Sequence, residues 1–271
     1  MASYAKFASS LGLSQTLPIT DSNLELFIAE LFDGGRPSSS IASITSAISF
    51  FHKCNNLVDP TKSPGIQTLL AGIKKLRPTS DSRRPITENL LFKMISEVQR
   101  LTFPHLQQCL FQAMFLMAFY FGLRIGEITD SIHNLQRANV TIEGSKLFIH
   151  FSSFKHSPTE PSPHFFKAAP NKPFCLVEHM KAYLSIRGDS KGPLFLLLGK
   201  PVARAFFLQT MRQVLDRLGI STKDYNTHSF RIGAASHWAN EGLSLIQIKS
   251  LGRWRSDAAF KYVRGSIDHS I

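Results

Sequence analysis

A small set of residues in the sequence has the chemistry to hold a phosphate ester. His228 and Arg231 lie three positions apart at the start of a predicted helix, so their side chains point to one face. A helix N-terminus also favours anions. Arg124 ends a predicted buried helix in the string GLRIGEI, and a buried arginine needs an anionic partner. That partner is either Glu127, in a structural ion pair, or a bound ligand.

Tyr262 lies near the end of the last predicted helix. The hydroxyl of Tyr262 has a reference pKa of about 10, so only about 0.1% of it is ionised at neutral pH. A tyrosine that acts as a nucleophile needs a nearby base, and His228 has the chemistry for that role. Each residue also has a structural explanation when taken alone. Tyr262 and Trp254 suit aromatic packing, and His228 suits a hydrogen-bonded core position.

Taken together, these residues resemble the motif set of the tyrosine recombinases, the phage-integrase family. The matching strings are Arg124 in GLRIGE, His228-x-x-Arg231 in HSFR, Gly252-x-Trp254, and Tyr262 eight residues after that tryptophan. HSFRIGAA and GRWRSDAAFKYVR are especially similar to recombinases of eukaryotic mobile elements of the DIRS, Ngaro and Crypton types. The resemblance is close over residues 120–155 and 225–265 and architectural over 1–80. Many bacterial members have histidine where this chain has Trp254.

The resemblance implies an enzyme that cleaves and rejoins DNA strands without a metal, ATP or another cofactor. Tyr262 would form a 3′-phosphotyrosine bond and release a 5′-hydroxyl. Arg124 and Arg231 would donate hydrogen bonds to the non-bridging phosphate oxygens. Trp254 would contact the phosphate through its indole N–H and its bulk.

The leaving 5′-oxygen needs a proton, which in this family comes from a lysine on a β-hairpin. Lys155, in the string FSSFKHSP after the second predicted strand, fits that place. Lys146 is the competing candidate. The structural alternative for Lys155 is an ordinary solvated loop lysine.

The net charge of the chain points to a polyanionic partner. There are 31 Lys and Arg against 19 Asp and Glu, a formal charge of +12 at pH 7, which favours nucleic acid. Residues 1–80 hold seven basic and five acidic side chains, a net of +2, whereas residues 81–271 hold 24 and 14, a net of +10. We predict double-stranded DNA as the partner, with backbone contacts from Lys74, Lys75, Arg77, Arg83, Arg84, Arg253 and Arg255.

The hydrophobic periodicity predicts a mainly helical protein of two domains with a small β-sheet. Residues 1–77 form a helical bundle, 78–85 a basic linker, and 86–271 the larger domain. The family resemblance implies that the bundle is a SAM-like, core-binding DNA domain and that the larger domain is catalytic. It also implies that the two domains close as a clamp around duplex DNA.

The helix signals in residues 1–77 predict four short helices. Their clearest marks are a cap at Asp21 or Ser22 for a helix to Phe32, an opening at Ser38–Ser40, and a start after Pro64. Beyond the linker, Thr87 caps a helix. The period then predicts helices at 105–121, 175–187, 202–218, 229–241, 244–251 and 256–264, a hairpin of 139–142 with 146–151, and a third strand at 165–166.

Cysteine usage and hydropathy indicate the compartment. Cys54, Cys109 and Cys175 show no C-x-x-C spacing, which favours a reducing compartment over a disulfide framework. No signal peptide is visible, and the apolar stretch 109–123 is too short to span a bilayer. We therefore expect an intracellular, soluble protein, and the similarity to eukaryotic mobile elements implies the nucleus.

Strand exchange between two duplexes implies a homo-oligomer on DNA, from dimer to tetramer. Family members often dock a C-terminal segment on the neighbouring protomer. Only nine residues follow Tyr262 here, which predicts either that this contact is missing or that the boundary is truncated.

Two other function classes fit parts of the sequence. A metal hydrolase would use the clustered His150, His156 and His164, but their intervals match no zinc-site spacing. A catalytically inactive DNA-binding relative, captured by a host, would keep the DNA grip and lose the reaction. Against that alternative, every matched catalytic position holds a chemically competent residue.

Overall fold

The computed structural model describes residues 1–78, 81–151, 164–168, 173–254 and 262–263, and the structural statements below refer to these ranges. The chain divides into two compact units, Met1–Asp81 and Ser82–Ile271. The division falls within residues 78–85, the predicted linker.

The first unit is a bundle of four helices, as predicted. They are α1 (Ala2–Ser10), α2 (Asp21–Asp33), α3 (Ser38–Cys54) and α4 (Pro64–Leu76), with a 3₁₀ turn at Pro60–Lys62. Their inward faces form one apolar core, which includes Tyr4, Phe7, Leu24, Phe27, Ile28, Ile41, Ile48, Ile66 and Ile73. Phe51, near the end of α3, lies outside this core and is 38% exposed.

The helix starts in this unit follow ordinary capping chemistry. The cap of α2 is Thr20, whose hydroxyl accepts a hydrogen bond from the Asn23 amide at 3.3 Å, so the predicted cap at Asp21 or Ser22 is one or two residues late. The start of α4 is confirmed. Pro64 occupies its first turn, where a missing N–H costs nothing, and Ser63 caps it.

The basic residues around the predicted linker are attached to the two units. Lys74 and Lys75 lie in the last turn of α4. The Arg77 guanidinium donates to the Phe32 carbonyl at 2.5 Å and stacks over the Phe32 ring at 3.9 Å, both within the first unit. In the second unit, half-buried Arg83 precedes Arg84, whose amide donates to the Asp224 carbonyl at 2.7 Å.

The second unit is mostly helical. Its helices are α5 (Glu88–Arg100), α6 (His105–Tyr120), α7 (Ile125–Ile128), α8 (Leu176–Arg187), α9 (Arg204–Arg217), α10 (Ser229–Asn240) and α11 (Leu245–Leu251). Thr87 caps α5 as predicted, accepting from the Leu90 amide at 3.2 Å. No helix in the described ranges is long and apolar enough to cross a membrane. The predicted helix 256–264 lies outside those ranges except for Tyr262 and Val263.

Helix α6 is the centre of the second unit. It is buried on all sides from Cys109 to Tyr120, which explains why its sequence is apolar without a helical stripe. It ends at Tyr120, so the prediction that Arg124 ends this helix is wrong. Arg124 instead precedes the single turn α7, which the sequence analysis did not find.

A three-stranded antiparallel sheet packs on this helical core. Its strands are β1 (Val140–Glu143), β2 (Lys146–Ile149) and β3 (His164–Lys167), in the order β1-β2-β3. Leu147 pairs with Phe166, which confirms the third strand. A second hairpin, β4 (Leu196–Leu197) with β5 (Lys200–Pro201), was not predicted, because two-residue strands leave no alternating pattern.

Helix α10 is held close to the segment that enters the second unit. The Ile86 amide donates to the carbonyl of buried Ser229 at 3.0 Å. One turn along α10, a methyl group on Gly233 would collide with the Ile86 carbonyl and press on Phe119. This close approach is the reason that position 233 requires glycine. The backbone there is that of an ordinary helix, which residues other than glycine also adopt.

Replacing Gly233 tests this close approach. We expect Gly233→Ala to lower the free energy of unfolding by about 1–3 kcal/mol, the usual cost of overpacking a core. Gly72→Ala is the matched control, because Gly72 is also helical but has open space around it, and it should gain up to about 1 kcal/mol in helix propensity. Calorimetric melting of both variants checks this. Equal effects of the two substitutions would contradict the proposed collision.

Candidate active site

Three of the predicted site residues line one cavity in the second unit. The cavity has a volume of about 410 Å³ and is lined by Arg124, Ile125, Gly126, Glu127, Ser131, His133, Arg204, Thr227, His228 and Arg231. Arg124 reaches it from the turn before α7. His228 and Arg231 reach it from the start of α10, because His228 is the N-cap residue and Arg231 lies in the first turn.

Arg231 is anchored beneath the cavity. Its side chain donates hydrogen bonds to the carbonyls of Gly122 and, at 3.0 Å, Gly252, and the residue is 2% exposed. Burial, with the neighbouring positive charges of Arg124 and Arg253, lowers the pKa of Arg231 to about 9. The guanidinium is still charged at neutral pH, and an anion in the cavity would relieve the repulsion.

The Glu127 carboxylate accepts hydrogen bonds from two arginines that are distant in the sequence, Arg124 and Arg253. One carboxylate oxygen, Oε2, accepts from the Arg124 amide at 2.7 Å and from Arg253 Nη2 at 2.8 Å. The other, Oε1, accepts from Arg124 Nη1 at 3.2 Å. Arg124 Nη2 also donates to the Arg253 carbonyl at 3.1 Å. The structural ion pair foreseen for Arg124 therefore exists, and the Arg124 side chain still keeps 27% exposure and lines the cavity.

Arg253 faces the interior, against the prediction that it contacts the DNA backbone. Its side chain is 2% exposed, with the guanidinium 3.9 Å from the Phe151 ring centre and ion-paired to Glu127. Burial lowers its pKa, and Glu127 opposes that shift. Among the described residues its Nε has no hydrogen-bond partner. The backbone at Arg253 is left-handed, with φ of 54°, a conformation that residues other than glycine seldom adopt.

Trp254 packs between the anchored arginine and the predicted nucleophile. The Arg231 guanidinium lies 4.7 Å from its ring centre, and the Tyr262 ring stacks on it at 5.3 Å. The indole also covers Gly252 so closely that any side chain there would collide with it. Trp254 is 9% exposed and belongs to a small apolar cluster with Trp238 and Ile248.

Tyr262 lies beside both Trp254 and His228. Its ring is parallel to the His228 ring, with centroids 6.5 Å apart and an interplanar angle of 6°. The Ser236 hydroxyl, on α10, donates to the Tyr262 carbonyl at 3.2 Å. These contacts place the tyrosine against the same helix that carries His228 and Arg231.

Two predicted site residues lie outside the described ranges, Lys155 and Arg255. The competing lysine, Lys146, is the first residue of β2, where its ammonium lies 5.6 Å from the Phe165 ring centre. Ser131, His133 and Arg204 also line the cavity and were not predicted from the sequence. No local pattern marks them, because they come from a loop and a separate helix that only the fold brings together.

The histidines considered for a metal do not form a site in the described part of the chain. No cluster of three histidine, cysteine or acidic side chains suited to a metal occurs there, and His156 lies outside it. His164, in β3, instead packs edge-on against Phe151 at 5.5 Å. Burial and the nearby charge of Arg253 lower its pKa to about 4, although Glu127 acts in the opposite direction.

The chain belongs to the phage integrase family, whose sequence profile matches residues 86–264. No curated protein sequence matches the chain significantly.

Solved structures with a similar fold include three DNA complexes. The XerH recombinase on a palindromic difH substrate, a post-cleavage complex, has a TM-score of 0.66 at 11% identity, covering 96% of this chain and 72% of that one. The Tn1549 transposon integrase with circular intermediate DNA gives 0.63 at 13%, covering 98% and 95%. A lambda integrase dimer on a COC′ core site gives 0.63 at 15%, covering 98% and 89%. At these identities the likeness establishes the fold.

Removing the Glu127 charge tests its bridging role. We expect Glu127→Gln to lower the free energy of unfolding of the second unit by about 3–5 kcal/mol, because it leaves Arg253 charged and buried. Asp189→Asn is the control, since Asp189 also pairs with an arginine, Arg137, but is 90% exposed, and it should change stability by less than about 1 kcal/mol. Urea unfolding followed by tryptophan fluorescence suits this test, because both tryptophans lie in the second unit. A small effect of Glu127→Gln would contradict the bridge.

The lowered pKa of His164 predicts a specific loss of stability in acid. Its unfolded pKa is about 6.5 and its folded pKa about 4, so the unfolded chain takes up the proton first as the pH falls through this window. From pH 7 to pH 5 this residue should cost the native state about 1–2 kcal/mol, because solvent screens the charge of a partly exposed ring. In His164→Gln that part of the loss should vanish. Urea unfolding of both proteins at the two pH values measures it, and parallel losses would show that His164 does not titrate this way.

Proposed function

We propose that the protein is a site-specific DNA recombinase that cleaves and rejoins strands through a 3′-phosphotyrosine intermediate. One observation carries the proposal. Arg124, His228 and Arg231 line a single cavity, and Tyr262 stacks between His228 and Trp254 beside it. Such an arrangement combines anion binding, a base and a nucleophile in one place.

The substrate we propose is duplex DNA. The net charge of +12, with +10 in residues 81–271 from 24 basic and 14 acidic side chains, favours a polyanion. The structures of similar fold are recombinases and integrases bound to DNA, one of them as a dimer. By the same analogy we propose that this chain works as a dimer or tetramer on DNA.

In the proposed reaction, the Tyr262 oxygen attacks the phosphorus and the bond to the 5′-oxygen breaks. His228 accepts the tyrosine proton, and a lysine donates a proton to the leaving 5′-oxygen. Arg124 and Arg231 stabilise the charge that develops on the non-bridging oxygens. The covalent link keeps the phosphodiester energy, so a 5′-hydroxyl of another strand reverses the step without ATP or a metal.

We assign the proton donor to Lys155 rather than Lys146. The chain after β2 reaches Phe151, whose ring contacts Arg253 next to the site, and Lys155 follows four residues later. Lys146 lies five residues before Phe151, about 17 Å away along an extended strand. Its ammonium also lies over the Phe165 ring.

We further propose an origin in a eukaryotic mobile element of the DIRS, Ngaro or Crypton type, and hence work in the nucleus. The support is the similarity of HSFRIGAA and GRWRSDAAFKYVR to recombinases of those elements. The basic residues Lys74, Lys75, Arg77, Arg83, Arg84 and Arg255 are proposed to contact the DNA backbone.

Covalent trapping tests the nucleophile. The protein is incubated with fragmented genomic DNA in EDTA and denatured, and protein-linked DNA is captured and sequenced. We expect adducts at a shared sequence with wild type and none with Tyr262→Phe, because the substitution removes the attacking oxygen. Tyr225→Phe, a tyrosine of the same unit outside the site, is the control and should retain adducts.

The outcomes separate the alternatives. Adducts that persist in Tyr262→Phe would exclude Tyr262 as the nucleophile. DNA binding without adducts in wild type would instead favour an inactive DNA-binding relative. Adducts that require a divalent metal would favour a metal-dependent enzyme.

A further inference from the structure

We infer that Arg204 and His133 form a second phosphate site, which binds the DNA phosphate next to the one that is cleaved. Both residues line the same cavity as Arg124, His228 and Arg231. The inference rests on the proposed function, because it takes the occupant of that cavity to be a DNA strand. It adds two residues that the family motifs do not include.

Arg204 and His133 are available for a ligand. Both side chains are exposed, and within the described ranges neither has a hydrogen-bond or ion-pair partner. The Arg204 amide donates to the Asp130 carboxylate and the His133 amide to the Ser131 hydroxyl, and these contacts leave both side chains unengaged. An arginine and a histidine without acidic partners, at the wall of a cationic cavity, lower the cost of bringing a second anion there.

Most other arginines of the second unit have structural partners. Carboxylates or backbone carbonyls engage Arg84, Arg100, Arg124, Arg137, Arg187, Arg217, Arg231 and Arg253. Arg212, on the outer face of α9, resembles Arg204 in being exposed and unpartnered among the described residues, but it does not line the cavity. Position in the cavity therefore distinguishes Arg204 from a merely solvated arginine.

The backbone that carries these two residues is fixed by Asp130. Its carboxylate accepts from the Arg204 amide at 3.0 Å, and its own amide donates to the Val202 carbonyl at 2.9 Å. The loop continues with the Ser131 hydroxyl accepting from the His133 amide at 3.2 Å. A single loop thus holds the start of α9 and His133 in one arrangement, which limits the entropy lost when a ligand is bound.

The positive charge of the cavity lining is large enough to bind more than one phosphate. Three arginines and two histidines line it against a single carboxylate, Glu127, whose oxygens already accept from Arg124 and Arg253. Phosphates of one strand follow each other at about 3.4 Å of helix rise. For a strand with one phosphate on Arg124 and Arg231, we assign the neighbouring phosphate to the remaining cationic lining, which Arg204 and His133 form.

The first experiment measures the salt dependence of binding to a random DNA duplex. In the full chain with Tyr262→Phe, which prevents cleavage, Arg204→Gln should weaken binding about tenfold and reduce the slope of log K against log[salt] by about one. His133→Gln should have a smaller effect in the same direction. Arg212→Gln controls for loss of charge on the same helix. An unchanged slope with Arg204→Gln would overturn the inference.

The second experiment identifies the phosphate. At the sequence recovered by covalent trapping, single phosphates are replaced by neutral methylphosphonates, and binding is measured for the same variants. Replacing the phosphate next to the scissile position should weaken binding about tenfold when the protein keeps Arg204. In the Arg204→Gln variant the same replacement should leave binding almost unchanged. Equal costs in both proteins would reject the contact. If wild type forms no adducts, the proposed reaction fails, and the salt slope alone decides whether Arg204 binds phosphate.

Discussion

The buried carboxylate of Glu127 is the contact on which the site depends. It lies between two arginines that are far apart in the sequence, and both of its oxygens accept hydrogen bonds. Arg124 is thereby fixed at the start of α7, while Arg253 is drawn into the interior. Because Trp254 follows Arg253, the same ion pair sets where the aromatic side of the site begins. One negative charge therefore positions both Arg124, which lines the cavity, and the segment that carries Trp254.

Without a bound anion, the cavity has an excess of positive charge. Arg231 is buried, its hydrogen bonds go to neutral carbonyls, and its nearest charged neighbours include two positive guanidiniums. The single carboxylate nearby is already shared. The core beside it is apolar, with α6 buried on all sides, so it offers no charge to offset this repulsion. Binding of an anion would reduce the repulsion between these guanidiniums, and this gain would add to the free energy of binding.

Much of this arrangement could be predicted from local sequence signals. Helix periods and caps located α5, α6, α8, α9 and α10 within a few residues, and the spacing of His228 and Arg231 placed both at a helix start. Glu127 could be proposed as a partner of Arg124 because i,i+3 neighbours share a face.

The remaining features depend on tertiary contacts. Arg253 resembles a surface arginine in sequence, and only its contacts with Phe151 and Glu127 make it an interior one. Arg204 lies at the cavity because Asp130, 74 residues earlier, holds its amide. The hairpin β4–β5 is too short to carry an alternating pattern, and α7 is a single turn. No window of sequence contains the contacts of Arg253 and Arg204, since each joins distant segments, and β4–β5 and α7 are too short to show a period.

The hydrogen bond from Ile86 to Ser229 limits how the chain can be divided into fragments. The family match begins at Ile86, so a fragment cut at that boundary would begin with the residue whose amide holds the first turn of α10. Its new terminus would carry a charged ammonium group at that contact, and the Arg84 link to Asp224 would be lost. A fragment that keeps both contacts therefore has to start before Arg84, near the structural boundary at Ser82.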